Sequence, residues 1–273
     1  MTGVKRVDLT PSSPVSKTGH TSKGDQPKWE RYEKWYKADH MGYEALAEVL
    51  IPVLLRKSNV TNFVSYKPVL IGYQEKNLTD CVSKNFRGKG EMLIPLERLH
   101  RAYQGGLGLA SAIAALPDAT ERIRYAVEFV ERTTGLIGVW TYLTMFLELD
   151  AFFLNVDRHT NNLAVLRDES CGQFRLCPVF DNGLALLSDL NDYPLDADIY
   201  TCIGKVRAKP LDTDFFRQVE VAEVFYGSHM RFSLTHQDVS DALDNLAPLY
   251  PEKVLRRVEQ ILFEQMCHYQ IYF

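Results

Sequence analysis

A polar loop that directly follows the most apolar run of the chain constrains its fold more than any other feature. Residues 136–154 are mostly apolar, and the loop after them carries Asp157 and, five residues later, Asn162. Asp181 follows nineteen residues after Asn162, beyond a polar turn between two short apolar runs. We therefore expect a buried helix, a polar loop, a β-hairpin and a second loop, with two carboxylates and one amide on the two loops.

The apolar run favours a buried helix over a membrane span. Glu148 and Asp150 lie inside it and would be costly in lipid. The net charge of −4 argues against a protein that mainly coats nucleic acid. The five cysteines are scattered without metal-ligand spacing, and the N-terminus carries no secretory signal, which together indicate a cytoplasmic protein with reduced thiols.

Strand patterns come early in the chain and helical patterns later. We expect a tail in residues 1–24 that is mobile to about residue 15, and strands over 28–37, in two runs around Pro68 within 63–73, over 161–167 and 174–180. Gly88 and Gly90 indicate a loop before the apolar segment 92–96. We expect helices over 43–55 with a kink or break at Pro52, over 95–103, 118–132, 134–150 and most of 212–273. Asp118 or Thr120, and Thr235, are expected N-caps. This order predicts an α+β protein with a small β-rich lobe and a larger α-rich lobe.

The polar loops carry the groups that phosphoryl transfer needs. Asp157 is suited to accept the proton of an attacking hydroxyl, and Asn162 and Asp181 offer oxygen ligands to Mg²⁺. His159 is expected to brace the loop, and Asn155 to position the turn. The alternative is an ordinary Asn/Asp-rich turn whose side chains satisfy nearby backbone groups.

Three segments resemble one known family in the same order along the chain. Asn155-x-Asp157-Arg158-His159-x-x-Asn162 resembles the catalytic loop of HipA-like serine/threonine kinases, which share their fold with phosphatidylinositol-kinase-like enzymes, and Val179-Phe180-Asp181 matches the position of their metal-binding aspartate. Gly24-Asp25-Gln26-Pro27-Lys28 resembles their nucleotide loop, although it holds a single glycine. Tyr36-Lys37-Ala38-Asp39 followed by Gly42-Tyr43-Glu44 resembles the strand lysine and its helix glutamate.

The resemblance implies a bilobal protein-kinase-like fold that binds ATP and Mg²⁺ and phosphorylates a protein serine or threonine. It implies a tail at 1–19, an N-lobe at 20–96 and a C-lobe at 97–273. Asp157, Asn162 and Asp181 would converge on one cation and the phosphates it carries. Gly24, Gln26, Lys28, Lys37, Glu44 and His159 would bind the nucleotide. Lys34 competes with Lys37 for the strand role, and Glu48 competes with the favoured Glu44.

The resemblance leaves acceptor and partner open. Related kinases phosphorylate a hydroxyl in their own phosphate loop, where this chain has Thr21 and Ser22. Relatives in toxin–antitoxin pairs carry an additional N-terminal segment, and the residues before 20 are too few to form one, so an antitoxin-like partner has no support. Lys205, Arg207 and Lys209 would line a substrate surface or lie in a plain exposed loop.

Three other functions compete with a protein kinase. A kinase of the same fold could act on a small molecule or lipid, and a degenerate kinase would bind nucleotide or a partner without catalysis. A metal phosphoesterase would use Asp157, His159 and Asp181, but it leaves Lys37 and the Gly24 segment unexplained.

Overall fold

The computed structural model describes residues 4–10, 12–15 and 26–273. Within them the chain divides into two units and passes from one to the other at 85/86, 180/181, 205/206 and 230/231. The first unit takes its described residues from Met1–Asn85, Asp181–Lys205 and Arg231–Phe273, and the second from Phe86–Phe180 and Val206–Met230. The predicted tail and lobes, 1–19, 20–96 and 97–273, stay predictions.

The described part of the chain contains strands of 3 to 9 residues and α-helices of 6 to 17 residues. In chain order the strands are β1 (Arg6–Asp8), β2 (Lys28–Arg31), β3 (Lys34–Ala38), β4 (Tyr66–Tyr73), β5 (Lys76–Lys84), β6 (Glu91–Pro95), β7 (Ala164–Asp168) and β8 (Phe174–Leu176). The helices are α1 (Glu44–Leu55), α2 (Leu96–Tyr103), α3 (Leu109–Ala114), α4 (Ala119–Thr134), α5 (Val139–Phe153), α6 (Ile199–Lys205), α7 (Phe215–Tyr226), α8 (His236–Asp244) and α9 (Glu252–His268).

The sheet of the first unit has the order β1-β4-β5-β3-β2. The pair β1–β4 is parallel, and the other neighbouring pairs are antiparallel. The sequence predicts a mobile segment to about residue 15, but Arg6–Asp8 pair with β4 and Leu9 is fully buried. Leu9 joins a core cluster with Trp29 and Val69, so apolar burial holds this part of the segment on the sheet.

A hairpin replaces the single strand predicted over residues 28–37. Tyr32 and Glu33 have φ of 51° and 57°, the left-handed backbone of a two-residue hairpin turn, and the chain reverses there. The alternation of aromatic and charged residues continues through the turn, so the sequence pattern does not reveal the turn. In the hairpin Lys28 lies directly opposite Lys37, so both side chains leave the same face.

Two prolines lie inside elements that the sequence predicts to be interrupted. Pro68 lies within the continuous strand β4, next to β5, but β1 begins to pair only at Leu70. The missing N–H of Pro68 therefore costs no bond to β1. Pro52 lies within α1, which continues to Leu55 without a break, and almost every residue of this helix is buried. Apolar packing thus outweighs the hydrogen bond that Pro52 cannot make.

The second unit contains the antiparallel sheet β6-β7-β8 and most of the predicted helices. The Asp118 side chain caps α4 by accepting from the N–H of Glu121 at 3.0 Å, and Gly135 ends the helix with φ of 70°. In the first unit Thr235 caps α8 in a capping box with Asp238. Both caps agree with the sequence.

The apolar run forms α5, which is buried along most of its length, and Leu154 ends it with φ of 54°. Among the described residues, none of the helices has both the length and the apolar character to cross a membrane. The catalytic-loop motif connects α5 to β7, and Asp181 follows β8. The predicted order of helix, polar loop, hairpin and second loop is therefore present.

Candidate active site

Lys37 in the first unit lies between two carboxylates. Strand β3 directs its side chain inward, and the residue is 6% exposed. Its Nζ forms ion pairs with Glu48 of α1 and, at 2.7 Å, with Oδ1 of Asp181. The ring centroid of Tyr66 lies 5.2 Å from the same ammonium. Burial lowers the pKa of Lys37, but Asp181 and Glu48 outweigh this effect and hold the pKa well above its ordinary value. The ammonium therefore stays charged.

The helix partner of Lys37 is Glu48 and not the favoured Glu44. Because α1 begins at Glu44, this carboxylate turns back and accepts from the N–H groups of Met41 at 2.7 Å and Gly42 at 3.0 Å. Glu48 lies one turn further on and is completely buried. The sequence places both glutamates on one side of the helix, and only the starting residue of the helix distinguishes them.

Asp181 brings a second lysine to the site. Its Oδ1 lies 3.6 Å from Nζ of Lys28, which projects from the same face of the hairpin as Lys37. Asp181 adopts φ of 59°, and the next residue, Asn182, donates its N–H to Oε2 of Glu48 at 3.1 Å. Glu48 thus ties β3, α1 and the loop after the hairpin together through both carboxylate oxygens.

The rest of the expected nucleotide loop is only partly described. Gly24 and the two candidate hydroxyls, Thr21 and Ser22, lie outside the described residues. Gln26 is described, and its Nε2 is buried without a hydrogen-bond partner among the described residues. A buried amide donor without a partner is costly, and a ligand oxygen would satisfy it.

In the second unit, the loop between α5 and β7 orients Asp157. The N–H of Asp157 donates to Oδ1 of Asn155 at 3.1 Å, and Asn155 in turn donates to Asp150 of α5 at 3.0 Å. Asn162 donates from Nδ2 to the main-chain oxygen of Asp157 at 2.9 Å. The amides of Asn155 and Asn162 therefore hold the turn at both ends, as an Asn-rich turn is expected to do.

Arg158 and Asp150 are site residues that sequence reasoning missed. Arg158 is completely buried, and its guanidinium holds both oxygens of Asp150, with Nε–Oδ2 at 2.9 Å and Nη2–Oδ1 at 3.0 Å. Its Nη1 also donates to the main-chain oxygen of Phe180 at 2.7 Å. This arginine therefore links the loop between α5 and β7 to the residue just before Asp181. A buried carboxylate in a mostly apolar helix needs polar partners, but the sequence does not show which residues supply them.

Lys209 forms an ion pair with the candidate base. Its Nζ lies 3.1 Å from Oδ1 of Asp157, and Nε2 of His159 lies 3.7 Å from Oδ2. The sequence did not decide whether Lys209 lines a substrate surface or lies in a plain exposed loop. In the structure it forms an ion pair with Asp157. His159 lies beside the carboxylate at a distance too long for a hydrogen bond, so the bracing role expected for it stays a prediction.

The donor set fits magnesium that arrives with a nucleotide. The described residues contain no group of three or more His, Cys, Asp or Glu side chains that would hold a metal ion. Magnesium on ATP takes most ligands from phosphate and water, so one carboxylate and one neutral oxygen suffice. Asp181 would supply the carboxylate. Asn162 commits Nδ2 to Asp157 and keeps Oδ1 as a neutral oxygen. The convergence of Asp157, Asn162 and Asp181 on one cation stays a prediction.

Comparisons with known proteins find a likeness of fold without a likeness of sequence. No protein-family model and no curated protein matches the chain. Among solved structures, the crystal structure of a Helicobacter pylori proinflammatory kinase, CtkA, matches with a TM-score of 0.62 at 15% identity, over 96% of this chain and 94% of that chain. At this identity the likeness shows the fold alone. The predicted kinase-like fold is confirmed at that level, while membership of the HipA-like family and the lobe arrangement stay predictions.

Proposed function

We propose that the chain is an ATP- and Mg²⁺-dependent kinase of the HipA-like type that phosphorylates serine or threonine in a protein. The observation that carries the proposal is the buried ammonium of Lys37 between Glu48 of a helix and Asp181 of the loop after the hairpin. Kinase folds use this combination to hold phosphates and the metal on them. The likeness to CtkA, which is a kinase, supports the same activity.

The lysines of the first unit would bind the phosphates. Lys37 carries a fixed positive charge at the pH of any ordinary assay, and Glu48 holds it in place. Lys28 lies opposite it in the hairpin and adds a second, half-buried cation. Both lysines form ion pairs with Asp181. ATP would bring phosphate oxygens for the lysines and thereby release Asp181 for the metal.

Asp181 and Asn162 would hold magnesium, and Asp157 would act on the acceptor. Bound Mg²⁺ would neutralise charge on the β- and γ-phosphates. Asp157 accepts the proton of the acceptor hydroxyl while the hydroxyl oxygen forms a bond to the γ-phosphorus. The bond from that phosphorus to the β–γ bridging oxygen breaks, and ADP leaves with its electron pair. Asn155 and Asn162 keep the carboxylate of Asp157 oriented for this step.

We also propose Thr21 or Ser22 as a self-phosphorylated residue, because both stand in the segment that resembles the nucleotide loop. Phosphate there would repel the phosphates of ATP. Mass spectrometry after incubation with ATP and Mg²⁺ should find phosphate within residues 10–25. Unmodified peptides from a protein that phosphorylates other acceptors would contradict self-phosphorylation and leave the kinase proposal standing.

Calorimetry with ATP tests the proposed function. The wild type should bind ATP more tightly with Mg²⁺ than without it, and Asp181→Asn should lose this metal dependence. Asp196→Asn is the matched control, because Asp196 is an exposed carboxylate of the same unit. Equal ATP affinity with and without Mg²⁺ in the wild type, or an unchanged metal dependence in Asp181→Asn, would contradict the assigned role.

A further inference from the structure

A cavity of about 310 Å³ lies in the second unit beside the catalytic loop. That volume is at the lower end for sites that hold small ligands or single side chains. Its walls combine apolar side chains with polar groups from three segments. The lining residues are Ala110, Ile113, Ala114, Arg122, His159, Thr160, Lys209 and Pro210.

The charge on the cavity wall is positive. Lys209 and Arg122 contribute cations, and none of the described residues that line the cavity is acidic. Arg122 uses three of its five N–H donors on main-chain oxygens, with Nε and Nη2 on Leu116 and Nη1 on Leu211 at 3.0–3.2 Å. These bonds fix the guanidinium but leave its charge without a carboxylate among the described residues. A fixed cation in a partly enclosed wall attracts an anionic group.

The cavity is directly connected to the candidate base. Lys209 and His159 both line it, and they lie 3.1 Å and 3.7 Å from the two oxygens of Asp157. The side chains of Lys209 and His159 therefore lie between a ligand in the cavity and the carboxylate of Asp157. Lys209 is shared between the cavity and Asp157, whereas the charge of Arg122 is paired with no carboxylate among the described residues.

We propose that this cavity binds the acceptor segment of the protein substrate and selects an acidic residue beside the serine or threonine that is phosphorylated. The inference rests on the proposed function and adds the substrate class to it. The acidic side chain pairs with Arg122 and Lys209, while Ile113 and Pro210 cover its apolar stem. The acceptor hydroxyl then lies next to Asp157, which takes its proton during phosphoryl transfer from ATP to yield ADP.

Three pools of synthetic peptides test the selection. Each peptide carries one central serine, and the flanking residues are glutamate, glutamine or lysine in the respective pools. The glutamate pool should show a KM roughly tenfold below that of the glutamine pool, as expected for one charge-assisted contact, and the lysine pool should be the poorest acceptor. Equal KM values for the three pools would overturn the proposal.

Two variants and two matched controls locate the effect. Lys209→Gln should abolish the preference for glutamate over glutamine, and Lys89→Gln, at an exposed position of the same unit outside the cavity, should retain it. Ala114→Trp fills the cavity from the exposed side of α3 and should raise the KM for the glutamate pool at least tenfold. Ser111→Trp places the same side chain on the same helix outside the cavity and should leave that KM unchanged.

Direct binding separates this inference from the proposed function. Fluorescence anisotropy without ATP should show that labelled glutamate peptides bind the wild type and Ser111→Trp, and bind Ala114→Trp and Lys209→Gln at least tenfold more weakly. That pattern supports the cavity site even if the wild type transfers no phosphate, a result that would refute only the kinase. Phosphoryl transfer without selective binding would refute only the cavity site.

Discussion

Lys37 and Lys34 lie on one strand, and only the first faces the two carboxylates. Lys37→Met removes the cation expected to hold the phosphates, so kcat/KM for phosphoryl transfer should fall roughly 10²–10³-fold, the usual effect of losing one electrostatic contact to the transition state. Lys34→Met, the same substitution three residues earlier, should change kcat/KM less than twofold. Circular dichroism would confirm that both variants are folded. A similar loss in both variants would remove the distinction between the two lysines.

Asp80 makes stability depend on pH. It is almost completely buried and accepts the N–H of Lys37 on Oδ1 at 2.9 Å. Burial raises the pKa of this carboxyl to about 9, from an ordinary value of 3.8. Between these values the folded state holds a proton that the unfolded state has lost. The stabilisation is therefore complete below pH 3.8 and is lost progressively as the pH rises towards 9.

Asp80→Asn keeps the acceptor oxygen and removes the titration. Urea unfolding at several pH values between 5 and 9 should show the free energy of unfolding of the wild type falling by up to about 1.4 kcal/mol per pH unit from this proton. The curve of Asp80→Asn should be flatter over the same range. Parallel curves for the two proteins would show that Asp80 ionises normally.

Single residues also mark what sequence reasoning can reach. Asp157, Asn162 and Asp181 could be selected because their spacing is local and resembles a known loop. Arg158 and Lys209 could not, because their partners Asp150 and Asp157 lie 8 and 52 residues away in sequence. Contacts of that kind depend on tertiary folding, and no local pattern contains them.

Helix α1 decides which glutamate serves Lys37. Glu48→Gln removes the charge that holds the ammonium, so the KM for ATP should rise and kcat should fall. Glu44→Gln should mainly lower the unfolding temperature, because Glu44 caps the backbone at residues 41 and 42. Steady-state kinetics and thermal unfolding of both variants distinguish these roles. If Glu44→Gln impaired catalysis and Glu48→Gln did not, the pairing seen in the structure would not be the functional one.

The elements also show where periodicity is a poor guide. Helices α4 and α5 were predictable, because their apolar residues have helical spacing and Asp118 is a recognisable N-cap for α4. The turn at Tyr32 and Glu33 was not, since neither residue type favours a left-handed backbone. The hairpin matters for function because it places Lys28 opposite Lys37.

For the whole molecule, the kinase-like fold was predictable from the order of motifs. The fold likeness to CtkA extends over 96% of this chain although only 15% of residues are identical, so the two chains share a fold where most of their residues differ. The packing of β1 was not predictable, because the three residues Arg6–Asp8 form a strand only by pairing with β4, and Leu9 is buried only against the sheet. Function must therefore be argued from the site, and the fold only supports it.

Phosphoryl transfer itself tests the central claim most directly. The wild type should transfer label from γ-labelled ATP to proteins of an extract only when Mg²⁺ is present. Asp157→Ala should reduce the rate by at least 10²–10³-fold while circular dichroism shows an intact fold, and Asp196→Ala should match the wild type. No transfer by the wild type, or equal rates for the wild type and Asp157→Ala, would contradict the account.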